Sequence, residues 1–167
     1  ISDNAIGDKV VKCAASCWTD TSNSFSPATF ETRPSINARS AGTMPPVSAK
    51  AAAAHGGTVD LRQSNHEGEL VTWIQQAYPA IDGVIINPGA YTHTSIAIPD
   101  ALRILKCPII ELHFNNSYRY ADRKFRQLSH VRPVATGVIF GFGAAGWLAA
   151  IEAMKLLLDP PFDGPAK

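Results

Sequence analysis

The stretch Ile85-Ile86-Asn87-Pro88-Gly89-Ala90-Tyr91-Thr92-His93-Thr94-Ser95 runs from an apolar strand straight into Asn, Gly, His and hydroxyl groups. Almost no loop separates the two. A second stretch, Pro108-Ile109-Ile110-Glu111-Leu112-His113-Phe114-Asn115, ends in the same manner. Short, wholly apolar strands are those of a parallel sheet buried on both faces. Residues at the carboxyl ends of such strands build the ligand site of an open α/β sheet.

Outward from these two stretches the pattern continues. Ser48 to His55 is Ala-rich and helix-favouring, and Gly56-Gly57 stops it. Thr58 to Gln63 alternates like a strand. Glu67 to Ala77 sets Leu70, Val71, Ile74 and Ala77 on one helical face, and Pro79 ends it. Gly83 to Ile86 is a short strand. Ser95 to Leu105 is predicted to be one helix with Pro99 in its first turn. Pro108 to Leu112 and Val134 to Phe140 are predicted strands. Ala144 to Leu158 is a long helix stopped by Asp159-Pro160-Pro161. Strands alternating with helices, joined by right-handed crossovers, predict an α/β doubly wound, flavodoxin-like sandwich with a parallel sheet. No internal repeat is present.

At 167 residues, a single domain with one real core is expected. Residues 48–158 form its well-patterned part and residues 159–167 a tail. Residues 1–47 are anomalous: rich in Ser, Thr, Asn, Ala and Pro, with poor periodicity. Cys17 to Ser26 and Pro34 to Pro46 read as loop or disorder. The strand candidate there is Lys9 to Ala15, and its two lysines and sparse β-branching suit the centre of a sheet poorly. So abrupt a switch suggests that residues before about 48 are misread, for instance by a frameshift or an unreliable assignment.

The net charge of +1 points to neither a nucleic-acid partner nor an anionic membrane surface. Cys13, Cys17 and Cys107 make an odd count without zinc-type spacing, which fits a reducing, cytoplasmic compartment and no metal site. No apolar run is long enough for a membrane span. The opening Ile1-Ser2-Asp3-Asn4 has no basic region before an apolar one, so no secretory leader is expected.

Three constellations carry chemistry. Asn87 and His93 can form a neutral hydrogen-bonding pair, and the Pro88-Gly89 turn can expose backbone amides at the sheet edge. The alternative is that Thr92, Thr94 and Ser95 only cap the next helix and His93 lies on the surface. Glu111 and His113 are two apart on one strand and so share a face. A carboxylate there favours the charged imidazole and orients it, which suits a general acid; the alternative is a purely structural pair. Arg126, with Arg119, Arg123 and Lys124 nearby, can bind a carboxylate or phosphate bidentately; the alternative is a solvated basic loop.

Two further motifs are weaker. Gly141-Phe142-Gly143-Ala144-Ala145-Gly146 matches the dinucleotide pattern G-x-G-x-x-G. It lies late in the chain with no further βα unit after it, and reads as close packing of helix on sheet. His66-Glu67 begins like a zinc-protease helix, but Leu70 stands where the second His is needed.

Taken together, Arg62 to Leu70, the block Asn87 to Ser95, Asp100-Ala101-Leu102, Glu111-Leu112-His113, Phe125-Arg126 and Gly137-Val138-Ile139 resemble the type II 3-dehydroquinate dehydratases, from about Ser48 to about Met154. The resemblance implies a flavodoxin-like sheet of five strands, trimers assembled into a dodecamer, and no cofactor. It implies anti elimination of water from 3-dehydroquinate through an enolate, with His113 as the general acid and Glu111 supporting it. Asn87, Gly89, His93 and Arg126 fall in the substrate pocket, with Phe114 and Asn115 offering backbone amides to the substrate carboxylate. The family commonly has Ser where this chain has Asn115. Asp100 matches a residue that reaches a neighbouring subunit's site. The loop from Asn116 to Lys124 is longer than the family pattern, leaving Arg119 or Arg123 as its second arginine. The family's N-terminal lid carries a Tyr in the region that supplies the base for the C2 proton; here the first Tyr is Tyr78. Two other readings stay open: a relative that binds the acid without a base, and a nucleotide-binding module using Gly141 to Gly146.

Overall fold

A computed structural model describes residues 10–15, 50, 53–54, 57–119 and 122–159. Five parallel strands form one sheet in the order β2-β1-β3-β4-β5: β1 Val10–Ala15, β2 Thr58–Gln63, β3 Gly83–Asn87, β4 Ile109–His113 and β5 Gly137–Phe140. The helices are α1 Glu67–Ala77, α2 Tyr91–Thr94, α3 Ala97–Leu102 and α4 Gly146–Leu158. Residues 50, 53 and 54 are helical, as expected for the Ala-rich stretch. The loop or disorder expected at 17–26 and 34–46, and the tail from residue 160, lie outside the described residues.

Alternation along the strands divides the core. Ile85, Ile110 and Leu112 face α4, where Trp147, Ala150, Ile151, Met154 and Leu158 close over them. Val84, Ile86 and Ile109 face the other way, against Leu70 and Ile74 of α1 and Ile98, Ala101 and Leu102 of α3. Burying a side chain of this size contributes about 1.5–3 kcal/mol, so both faces of β3 and β4 are strongly held. Glu111 and His113 follow Ile109 at intervals of two and thus lie on the α1/α3 face. Ile86 stands beside Glu111 in register.

Three elements depart from expectation. Lys9 to Ala15 looked ill-suited to a central position, yet β1 sits between β2 and β3, paired with both. Two parallel ladders outweigh a weak intrinsic preference there. The predicted helix Ser95 to Leu105 is two pieces. Ser95 is extended (φ −86°, ψ 129°), and its hydroxyl accepts the Ile98 N–H at 2.9 Å, so the chain is capped anew after α2. The strand expected from Val134 begins at Gly137, because Arg132–Val134 form a 3-10 turn around Pro133.

Candidate active site

Glu111 organises the carboxyl end of the sheet. It lies in mid-strand, fully buried. Its Oε1 accepts three hydrogen bonds: from Thr92 Oγ1 at 2.9 Å, from Ser129 Oγ at 2.7 Å, and from the His113 Nε2 side at 2.6 Å. A carboxylate oxygen can only accept, so His113 carries its proton on Nε2 toward Glu111 and turns Nδ1 away from it. Burial pushes the Glu111 carboxyl up, but the bonds from His113, Ser129 and Thr92 outweigh it. The group is held below its ordinary 4.5 and stays ionised at neutral pH.

Asn87, at the end of β3, is buried. Its Oδ1 accepts the Gly89 N–H at 3.2 Å, which leaves the amide NH2 as the end free to donate outward. Gly89 has φ +56°, the left-handed turn a side chain would strain. Its amide is therefore engaged within the turn, shaping Asn87, where the sequence had suggested an exposed donor.

His93, on α2, sits 2.6 Å from the Leu128 carbonyl through Nδ1. The carbonyl accepts, so Nδ1 bears the hydrogen and Nε2 keeps its lone pair. Burial pushes this imidazole below its ordinary 6.5, and the charges of His113 and Arg126 push the same way; the Leu128 contact and Glu111 oppose them without prevailing. Phe125 meets the ring edge-on at 6.3 Å, and the Arg126 guanidinium lies 5.5 Å from the Phe125 ring centre. His93, Glu111, His113 and Arg126 are thus one electrostatic cluster.

The carbonyls of His113 and Phe114 accept the amides of Gly141 and Gly143, at 3.1 and 2.9 Å. Two of the glycine loop's amides are consequently spent on the end of β4 rather than offered to a phosphate. A Cβ on Gly146 would stand 2.8 Å from Leu112 Cδ1. The G-x-G-x-x-G motif serves close packing here.

Not every sequence candidate converges. Asp100 is exposed on α3 and bonded to Arg103. Arg119 is exposed in the turn Ser117–Arg119, and Arg123 lies 3.7 Å from exposed Asp122. Asn115 is exposed beside half-buried Phe114. Conversely, Thr92 looked like a cap and instead binds Glu111. Ser129 and Arg132 were not singled out at all. Ser129 lies 18 residues from Glu111 in sequence, and no local pattern joins them. Among the described residues, no group of three or more His, Cys, Asp or Glu is placed to hold a metal ion.

An ionised carboxylate behind one imidazole, a second imidazole kept neutral, a primary amide and a guanidinium together suit proton movement on a small polar acid. The fold and site therefore define an α/β enzyme working at the carboxyl edge of a parallel sheet. The chain belongs to the class II dehydroquinase family, whose model matches residues 39–155. The 3-dehydroquinate dehydratase of Streptomyces avermitilis is 51% identical over 112 residues, covering 66% of this chain and 69% of that protein. That of Mesorhizobium japonicum is 51% identical over 110 residues, covering 65% of this chain and 75% of its own. The crystal structure of the type II dehydroquinase from Propionibacterium acnes superposes with a TM-score of 0.69 at 28% identity, covering 89% of this chain and 99% of that one. The family match opens before residue 48, where the recognisable blocks begin.

Proposed function

We propose that this chain is a lyase that eliminates water from 3-dehydroquinate, giving 3-dehydroshikimate through an enolate. The observation that carries the reading is the Glu111–His113 contact at 2.6 Å, fully buried on the carboxylate side and presented at the sheet's carboxyl edge. A base removes the C2 proton and the electron pair moves into the enolate. As the C1–oxygen bond breaks, the imidazolium form of His113 keeps its Nε2 proton and gives the one on Nδ1 to the departing hydroxyl, so that water leaves. Glu111 holds the ring in the orientation that aims Nδ1 at that oxygen and stabilises the imidazolium. Asn87 donates to a substrate oxygen, and the Nε2 lone pair of neutral His93 accepts a substrate hydroxyl. Arg126 takes the carboxylate side of the pocket with the amides of Phe114 and Asn115. No cofactor enters this scheme.

Asp100 serves a neighbouring subunit's pocket; its exposed place on α3 and the resemblance support this. We read the assembly as a dodecamer built from trimers, the location as cytoplasmic and residues 1–167 as one domain on the same resemblance. Among the described residues no helix is long and apolar enough to cross a membrane.

The sequence departs from the family at one point: no Tyr, the residue in the lid region that supplies the base for the C2 proton, precedes Tyr78. A relative without that base binds the acid and does not turn it over. Purified protein mixed with 3-dehydroquinate distinguishes the two by the ultraviolet absorbance of the conjugated enone product. We expect a rise that His113→Ala abolishes. Binding without any rise selects the base-less relative.

A further inference from the structure

Three donors crowd Oε1 of Glu111, while Oε2 has no hydrogen-bond partner among the described residues, although it is buried. A carboxylate with one oxygen left alone in a dry site is costly unless a charge faces it. One does. Nε of Arg132 stands 3.9 Å from Oε2, with the arginine side chain 34% exposed and the glutamate fully covered. The same guanidinium sends Nη1 to the Tyr118 hydroxyl at 3.3 Å and to the Gln127 carbonyl at 3.4 Å. The Arg132 amide donates to Ser129 Oγ at 2.9 Å, and Ser129 in turn donates to Oε1. The turn from Ser129 to Arg132 therefore grips both oxygens of Glu111, one through a hydroxyl and the other through a cation.

Tyr118 comes from the long loop after β4. Its ring rests on Phe140 of β5, 5.8 Å between centres, so that edge strand supports the phenol. Arg119 and Arg123 lie in the same loop, yet among the described residues it is Arg132 that the ion pairs place against Glu111. The other titratable or charged groups of this cluster are His113 on its own strand, His93 on α2 and Arg126 in the turn that precedes Ser129.

We propose that Arg132, steadied by Tyr118, is a positioning residue that holds Glu111 ionised and fixed in rotamer, and through it sets the orientation of His113. A fork is needed for this. Nε addresses Glu111 while Nη1 addresses two oxygens elsewhere, which one ammonium group cannot do from one stem.

The inference rests on the dehydratase reading for its kinetic meaning, but its first test does not need turnover. The Glu111 side-chain carboxyl is followed by carbon-13 NMR across pH in the parent chain and in Arg132→Gln. The midpoint should rise by about one pH unit without the cation, since an opposite charge at this distance favours the ionised form. An unchanged midpoint overturns the proposal, whatever the enzyme does with 3-dehydroquinate. If the parent chain turns over, Arg132→Gln should lower kcat about 10-fold with KM nearly unchanged, as loss of a supporting partner does. Arg132→Lys should recover only part of that rate. A rise in KM at constant kcat would place Arg132 on the substrate instead and sink the idea. Should Arg132→Gln fail to fold, Tyr118→Phe decides: the Glu111 midpoint then moves up by a smaller step, or the clamp does not exist.

Discussion

At the scale of the residue, Glu111 is where stability and chemistry meet. Its folded titration lies below 4.5, so it contributes stability in full above 4.5 and loses it as pH falls through the folded value. His93 titrates below 6.5 in the fold, so the unfolded chain binds the extra proton and stability drops as pH falls from 6.5 through that lower value. Both slopes run the same way. Melting followed by circular dichroism should show Tm declining from about pH 6.5 downward, and His93→Asn should flatten the upper part of that decline. Thr92→Val and Ser129→Ala should each cost about 1.5–3 kcal/mol in urea unfolding, the usual loss for a hydrogen bond to a charged group. The Glu111–His113 pair was legible in sequence because two residues apart on a strand means one face. Thr92 was visible only as a helix cap, and Ser129 and Arg132 not at all, because their partner is brought to them by the fold and not by spacing.

At the scale of the element, legibility follows burial pattern. Helix α1 matched its predicted bounds, since Leu70, Ile74 and Ala77 repeat at helical spacing and all are buried. The break at Ser95 escaped notice because a hydroxyl can cap or sit inside a helix, and only the bond to the Ile98 amide decides. Strand β1 was underrated because propensity says little about a strand hydrogen-bonded on both sides. Gly146 offers a test in which two effects compete. Ala in place of Gly normally gains up to about 1 kcal/mol within a helix. Here the added methyl would meet Leu112, so Gly146→Ala should instead destabilise by about 1–3 kcal/mol, measured by denaturant unfolding. Leu70→Ala should cost about 2–5 kcal/mol by the same measure, by opening a cavity between α1 and α3.

At the scale of the whole molecule, the family pattern governs what is recognisable. From the β2 region onward the residues follow it, and that part carried the flavodoxin-like fold class, whereas the place of β1 in the strand order came from the structure. Residues 1–38 lie outside the family match, and the composition of residues 1–47 gave no site. Peptide mass mapping of the purified protein tests the frameshift reading directly; peptides that match residues 1–46 as written would end it. Asp100→Ala leaves the cluster around Glu111 untouched. If Asp100 serves a neighbour, the variant should lose activity while its sedimentation profile stays that of the parent.

The two bonds from the glycine loop to the end of β4 give the protein an internal gauge. Because Gly141 and Gly143 donate to the carbonyls of His113 and Phe114, their amide protons exchange with solvent only when that strand end comes loose. A pair of backbone signals thus records how often the peptide after His113 is out of place, with no substrate in the tube.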